Sequence, residues 1–110
     1  MSTHSCVITI HATPYRGGRY EYAVRMNEAP PDLRVSVESP FDEGFVEAVK
    51  RVPFQSRDYE KEARRWWVTP EWLEAVKGIA LEHFREVRLV EGGVTTNVRT
   101  GEQYAQESLF

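Results

Sequence analysis

Arg57-Asp-Tyr-Glu-Lys-Glu-Ala-Arg-Arg-Trp-Trp-Val-Thr-Pro-Glu-Trp72 sets the fold class of this chain. Arg65 to Thr69 reads as a short strand, in which neighbouring Trp66 and Trp67 point to opposite faces. Thr69-Pro70-Glu71 then places a capping hydroxyl, a proline at the first helical position and an acid in the first turn. A helix follows, with Leu73, Val76, Ala80 and Phe84 as its apolar stripe, widened by Trp72 and Ile79. A strand running straight into an amphipathic helix implies an α and β mixture. On this reading Trp67 and Trp72 belong to the core, and Trp66 is the tryptophan that meets something outside.

Working back from this stretch, Ser39-Pro-Phe-Asp42 opens another helix with Asp42 as N-cap. Phe45, Val49 and Val52 recur on one side of it, Lys50 and Arg51 occupy its last turn, and Pro53 ends it. Strands are expected where apolar and polar residues alternate: Cys6 to Ala12, Tyr20 to Met26, and Leu33 to Glu38. Thr13-Pro-Tyr-Arg-Gly-Gly-Arg19 reads as a hairpin loop between the first two. Working forward, Val87 and Leu89 mark another strand, Gly92-Gly93 a turn, and Val94 to Val98 a last strand or edge. The expected fold is α+β: a mainly antiparallel sheet of five to six strands, two helices packed on one face, and the order β-β-β-α-β-α-β. Residues 1–99 read as a single domain and 100–110 as a flexible C-terminal tail.

The 110 residues suit one modest core, and 28% charged residues are ordinary for a globular domain. No apolar run reaches membrane-spanning length, and Met-Ser-Thr-His-Ser at the start lacks a secretory signal pattern. A cytoplasmic protein with no membrane partner is the expectation. Cys6 is the single cysteine, so neither an internal disulfide nor a cysteine-pair zinc site is available. Cys6 and His11 fall on opposite faces of their strand and cannot share a metal ion; His4 and His11 read as surface residues and His83 as a rim residue. No cofactor motif, phosphate-binding glycine loop or nucleophile–base constellation is present, and a non-enzyme is expected.

A net charge of −3 excludes a protein that coats nucleic acid nonspecifically, so any nucleic-acid surface must be a local patch. From Lys50 to Arg65 six cations (Lys50, Arg51, Arg57, Lys61, Arg64, Arg65) stand against three anions (Asp58, Glu60, Glu62). They coincide with Tyr59 and Trp66, the combination that holds a phosphate backbone and stacks an unpaired base. The spacing of Glu60 and Arg64 also fits a short solvated helix. Tyr15 with Arg16 and Arg19 forms a second basic-aromatic loop, relevant only if it lies beside the tryptophan patch.

Phe41-Asp-Glu-Gly-Phe-Val-Glu-Ala-Val-Lys50, then Val52-Pro53, Arg57-Asp58-Tyr59, Arg65-Trp66-Trp67-Val68-Thr69-Pro70 and a helix resemble the HARP-type DNA-binding module of annealing helicases and related small modules of bacterial and phage helicases. The resemblance spans residues 41–84. It implies non-catalytic binding to single-stranded or forked DNA, here by a free-standing accessory protein of replication or repair, since the chain has no motor motif. The terminal Gln106-Glu-Ser-Leu-Phe110 resembles the peptide by which bacterial proteins bind the sliding clamp, with Gln106, Leu109 and Phe110 as partner-binding residues. The alternative expectation is a protein-binding modulator, such as a phage-type inhibitor of a host replication or transcription machine. In that case the acidic flanks and the apolar tail are the working surfaces.

Overall fold

Strand β1, Ser2–Ile10, lies at the middle of the sheet, with Cys6 and Ile8 fully buried on one face. The computed structural model describes residues 2–105. After β1 the chain forms helix α1 (Gly18–Arg25), strand β2 (Val35–Glu38), helix α2 (Glu43–Val49), strands β3 (Arg57–Glu60) and β4 (Arg65–Val68), and helix α3 (Leu73–His83). Strands β5 (Phe84–Glu91), β6 (Val94–Asn97) and β7 (Gln103–Ala105) complete it. The seven strands form one sheet in the order β3-β4-β2-β1-β5-β6-β7. The fold is α+β with a mixed sheet, because β1 pairs in parallel with β5 while the other neighbours are antiparallel.

Topology explains how two helices share a face. β2 and β3 both run antiparallel to β4, so they run the same way, and α2 is the crossover between them. β4 and β5 also run the same way, and α3 crosses between them over β2 and β1. These are two interleaved split βαβ units with β1 inserted between them. Crossovers of one hand put both helices on one face of the sheet. The core lies there: Val35, Val37, Val68 and Val87 from the sheet meet Phe45, Val49, Val76 and Ala80 from α2 and α3. Phe45 meets Phe84 edge-to-face at 5.1 Å. Fully burying a side chain of this size contributes roughly 1.5–3 kcal/mol.

The start of α2 follows its local signals, but the helix ends at Val49, so Lys50 is its C-cap and Arg51 lies beyond it, not in its last turn. The Asp42 side chain accepts from the Phe45 N–H at 2.8 Å, and the helix ends before Pro53. Pro70 begins a 3₁₀ turn, Pro70–Trp72, that leads directly into α3. Gly92 and Gly93 turn β5 into β6 at φ +59° and +80°, values that a residue with a Cβ rarely adopts.

Several expectations need correction. Tyr20 to Met26 is not a strand; most of it is α1, and no hairpin joins it to β1. The alternating pattern there did not report burial, since Ala23 alone is buried while Tyr22, Val24 and Met26 are exposed. Gly17 stands at the helix N-terminus without a capping side chain. The missing acceptor comes from β3, where Asp58 Oδ2 takes the Arg19 N–H at 3.1 Å. The segment 57–60 is a strand and not a helical turn; pairing with β4 decides it against the local Glu60–Arg64 spacing. The described residues hold three α-helices, two of which share a face. The sheet is mixed, and it continues past residue 99 into β7.

Candidate functional site

The hairpin of β3 and β4 carries the predicted basic-aromatic cluster, and strand alternation divides that cluster between the two faces of the sheet. Trp66 pairs with Val37 on one side and Tyr59 on the other, so all three belong to the face covered by α2 and α3. Trp67 pairs with Ser36 and Asp58 and belongs to the opposite face. The sequence expectation of opposite directions is correct, and Trp67 is the buried one of the pair and Trp66 the more exposed, as expected; what differs is that the main core lies on the Trp66 face.

Trp67 is nonetheless buried, because the segment after β1 folds over it. The Tyr15 ring stacks on it at 5.1 Å, and the His11 ring lies at 4.6 Å. The Arg65 guanidinium sits 4.8 Å from its ring centre. Glu60 accepts from Trp67 Nε1 at 2.9 Å and from Arg65 Nε at 2.7 Å, while Glu38 lies 3.6 Å from Arg65. The Arg65 hydrogen bond holds the Glu60 carboxyl below its ordinary range, aided by Trp67 and opposed by burial. Burial, and then the Arg65 charge, lower the His11 pKa against the pull of Glu38 and Glu60. His11 Nε2 lies 2.7 Å from Ser36 Oγ, but Ser36 is fully buried, so the pair anchors the ring and leaves the hydroxyl no access to a substrate. Burial, and then the carboxylates of Asp58, Glu60 and Glu62, raise the Tyr15 pKa.

On the other face Trp66 is only half-buried and forms the floor of a cleft of about 490 Å³. Tyr59 packs against it, with ring centres 5.0 Å apart and planes inclined by 57°. Phe41 and Phe45 add apolar wall, and Lys50 and Arg64 supply the cations of the lining. Arg57 lies at the edge, its guanidinium 5.9 Å from the Trp66 ring and its Nε donating to the Val52 carbonyl at 2.8 Å. Lys50, Arg51, Arg57, Lys61 and Arg64 make no ion pair among the described residues. Arg64 ends the β3–β4 loop at φ +54°, a left-handed conformation that costs a non-glycine residue roughly 1–2 kcal/mol.

Four predicted site residues, Lys50, Tyr59, Arg64 and Trp66, thus line one cleft, with Arg57 beside it. Arg51 and Lys61 are exposed but are not part of the lining. Arg65 is held on the opposite face by Glu60 and Glu38. Arg16 also lies apart from the Trp66 cleft: its guanidinium sits 5.2 Å from the Tyr20 ring, and it lines a shallow site with Trp67, Tyr15 and His11. Arg19 stacks on Phe54 at 3.2 Å. Gln106, Leu109 and Phe110 lie outside the described residues.

The sequence reading placed Phe41 in a helix start and in the family resemblance but not among the site residues, yet Phe41 is 83% exposed and lines the cleft. The local sequence pointed the other way. An apolar residue just before an N-cap ordinarily staples onto the fourth helical residue, here Val46, and this one leaves most of its surface in water. Among the described residues no group of histidine, cysteine and carboxylate side chains is placed to hold a metal ion. Cys6 is buried in the core, which pushes its thiol pKa up to about 12. No helix among the described residues is long and apolar enough to cross a membrane. Comparison with protein-family models, characterised proteins and solved structures finds no match to this chain.

Proposed function

We propose that the chain is a non-catalytic nucleic-acid-binding accessory protein that holds an unpaired strand in the Trp66 cleft. The observation that carries this reading is the convergence of Phe41, Tyr59 and Trp66 with Lys50 and Arg64 in one open site, where neither cation has an ion-pair partner among the described residues. Aromatic faces accept any base by stacking, worth roughly 1–3 kcal/mol per base, and free cations at the rim suit the phosphates on either side. Arg57, Arg51 and Lys61 extend the positive surface outward. Arg65 contributes by fixing the hairpin, because its charge is already matched by Glu60.

The preference for single-stranded or forked DNA, and a role in replication or repair, rest on the resemblance of residues 41–84 to the HARP-type module. A sliding-clamp tether through Gln106, Leu109 and Phe110 rests on the resemblance of the terminal peptide. Such a role places the protein in the cytoplasm. Fluorescence anisotropy with labelled single-stranded and forked DNA across a salt series tests the reading. Binding should weaken as salt rises, with a log–log slope of about −0.7 per phosphate engaged on a single strand. Absence of binding to either DNA at low salt would overturn it.

A further inference from the structure

A second and larger groove, of about 1030 Å³, is lined by α1, the segment after it and the turns at Phe54–Ser56 and Pro70–Trp72. Tyr22, Phe54 and Pro70 give it an apolar floor, and Tyr22 and Phe54 are 47% and 55% exposed, unusually open for large rings. Its rim is acidic: Glu28, Asp32 and Glu71 all line it. Asp32 is paired with Arg34 at 2.9 Å, and Glu71 accepts only a long hydrogen bond from Thr69 Oγ1 at 3.3 Å. Arg19 is the sole cation of the lining among the described residues, and its guanidinium lies 3.2 Å from the Phe54 ring centre. The groove therefore presents aromatic and proline surface beneath a net negative rim, the reverse in charge of the Trp66 cleft.

We infer that this groove docks an extended peptide segment of a partner protein, one that carries an apolar anchor residue flanked by lysine or arginine. Charge complementarity selects the flanking cations, since Glu28 and Glu71 can meet a lysine or arginine on either side of the anchor. The negative rim also disfavours a phosphate backbone, so the two sites would take different macromolecules. Aromatic-lined grooves suit proline-containing extended segments, whose preformed polyproline II conformation lowers the entropy lost on docking. The volume stands at the upper end for small-molecule pockets, again favouring a chain segment.

The test uses the full chain and two fluorescein-labelled nine-residue peptides of about the same length and apolar content. One alternates lysine with leucine and proline; the other replaces each lysine by glutamate. The basic peptide should bind at least about tenfold tighter than its acidic counterpart. Glu28→Lys combined with Glu71→Gln should remove that preference, and Tyr22→Ala should weaken the basic peptide by about tenfold. Single-stranded DNA binding should be unchanged in both variants, and circular dichroism should confirm that both are folded. Amide shifts in a nitrogen–proton correlation spectrum should cluster at Ala23, Ala29, Gln55 and Glu71. Equal binding of the two peptides, retention of the preference in the charge variant, or shifts centred on Trp66 would overturn the inference. A concentration-dependent dimer abolished by Tyr22→Ala would overturn it too, since a second copy would then be the occupant.

Discussion

Trp66 and Trp67 are one bond apart in sequence and lie in opposite chemical worlds. The Trp67 face is closed: its indole N–H has an acceptor, its ring is stacked by Tyr15, and the nearest cation is matched by Glu60. The Trp66 face is open: the partly buried indole lines a cleft whose cations have no ion-pair partner among the described residues. The same Arg-Arg-Trp-Trp run thus supplies a structural lock on one side and a binding surface on the other. Partner groups decide which is which; residue type does not.

The largest expected effect is on the closed face. Trp67→Ala should cost roughly 3–5 kcal/mol in urea unfolding, the range for deleting a large buried aromatic. Trp66→Ala should cost less, because part of that ring already meets water. Equal losses in the two variants would break the contrast.

Glu60→Ala comes next. It leaves the buried Trp67 Nε1 without its acceptor, at a cost of about 1–3 kcal/mol, and removes the shorter of the two carboxylate contacts of Arg65. Because folding depresses the Glu60 pKa, this contribution is present above the unfolded-state pKa and is lost as pH falls through the folded one. The wild-type chain should therefore lose more stability than the alanine variant as pH falls through the carboxylate range, as read by denaturant midpoints at a series of pH values.

On the open face, Tyr59→Ala should weaken binding of single-stranded DNA by roughly 1–3 kcal/mol and leave the unfolding midpoint nearly unchanged. Anisotropy titration of the folded variant reads the first effect and urea unfolding the second. If Tyr59→Ala binds as wild type does, the aromatic pair is packing alone.

Arg64→Gly should have opposite signs in two assays. Relief of the positive φ should stabilise the hairpin by about 1 kcal/mol, while loss of a rim cation should weaken binding and reduce the salt slope by about 0.7. The smallest expected effect is at His11. Its lowered pKa means that the folded state resists protonation, so stability is lost as pH falls through the ordinary imidazole pKa of the unfolded chain and on toward the lower folded one. Substitution of His11 by Gln should flatten that part of the profile.

Much of this was legible before any coordinates. Asp42 and Pro53 bound α2, Pro70 opens the turn into α3, and Gly92-Gly93 turns β5 into β6, because capping, proline geometry and positive φ are local effects. The coincidence of Lys50, Tyr59, Arg64 and Trp66 in one cleft was also foreshadowed by their nearness in sequence. The segment from Tyr20 to Met26 was misread because alternation among exposed residues carries no information on burial, and its helix depends on a cap donated by Asp58 from β3. Phe41 was missed because its exposure is a property of the loop, not of the residue.

By itself the sequence determined where the chain breaks, which segments favour helix, that the two tryptophans diverge, and that any nucleic-acid surface must be local. Those follow from dihedral preference, period and charge, which act over a few residues. Tertiary structure alone decided that β1 pairs in parallel with β5, that α1 is a helix, and that Arg65 is spent on Glu60 while Arg64 has no ion-pair partner among the described residues. Each of these is an interaction across the sheet, between groups far apart in the chain or on opposite strands, and pairing energies of that kind have no local signature. The tertiary structure also decided which tryptophan faces the main core, because strand pairing, and not the order of the residues, sets which side of a sheet is covered first.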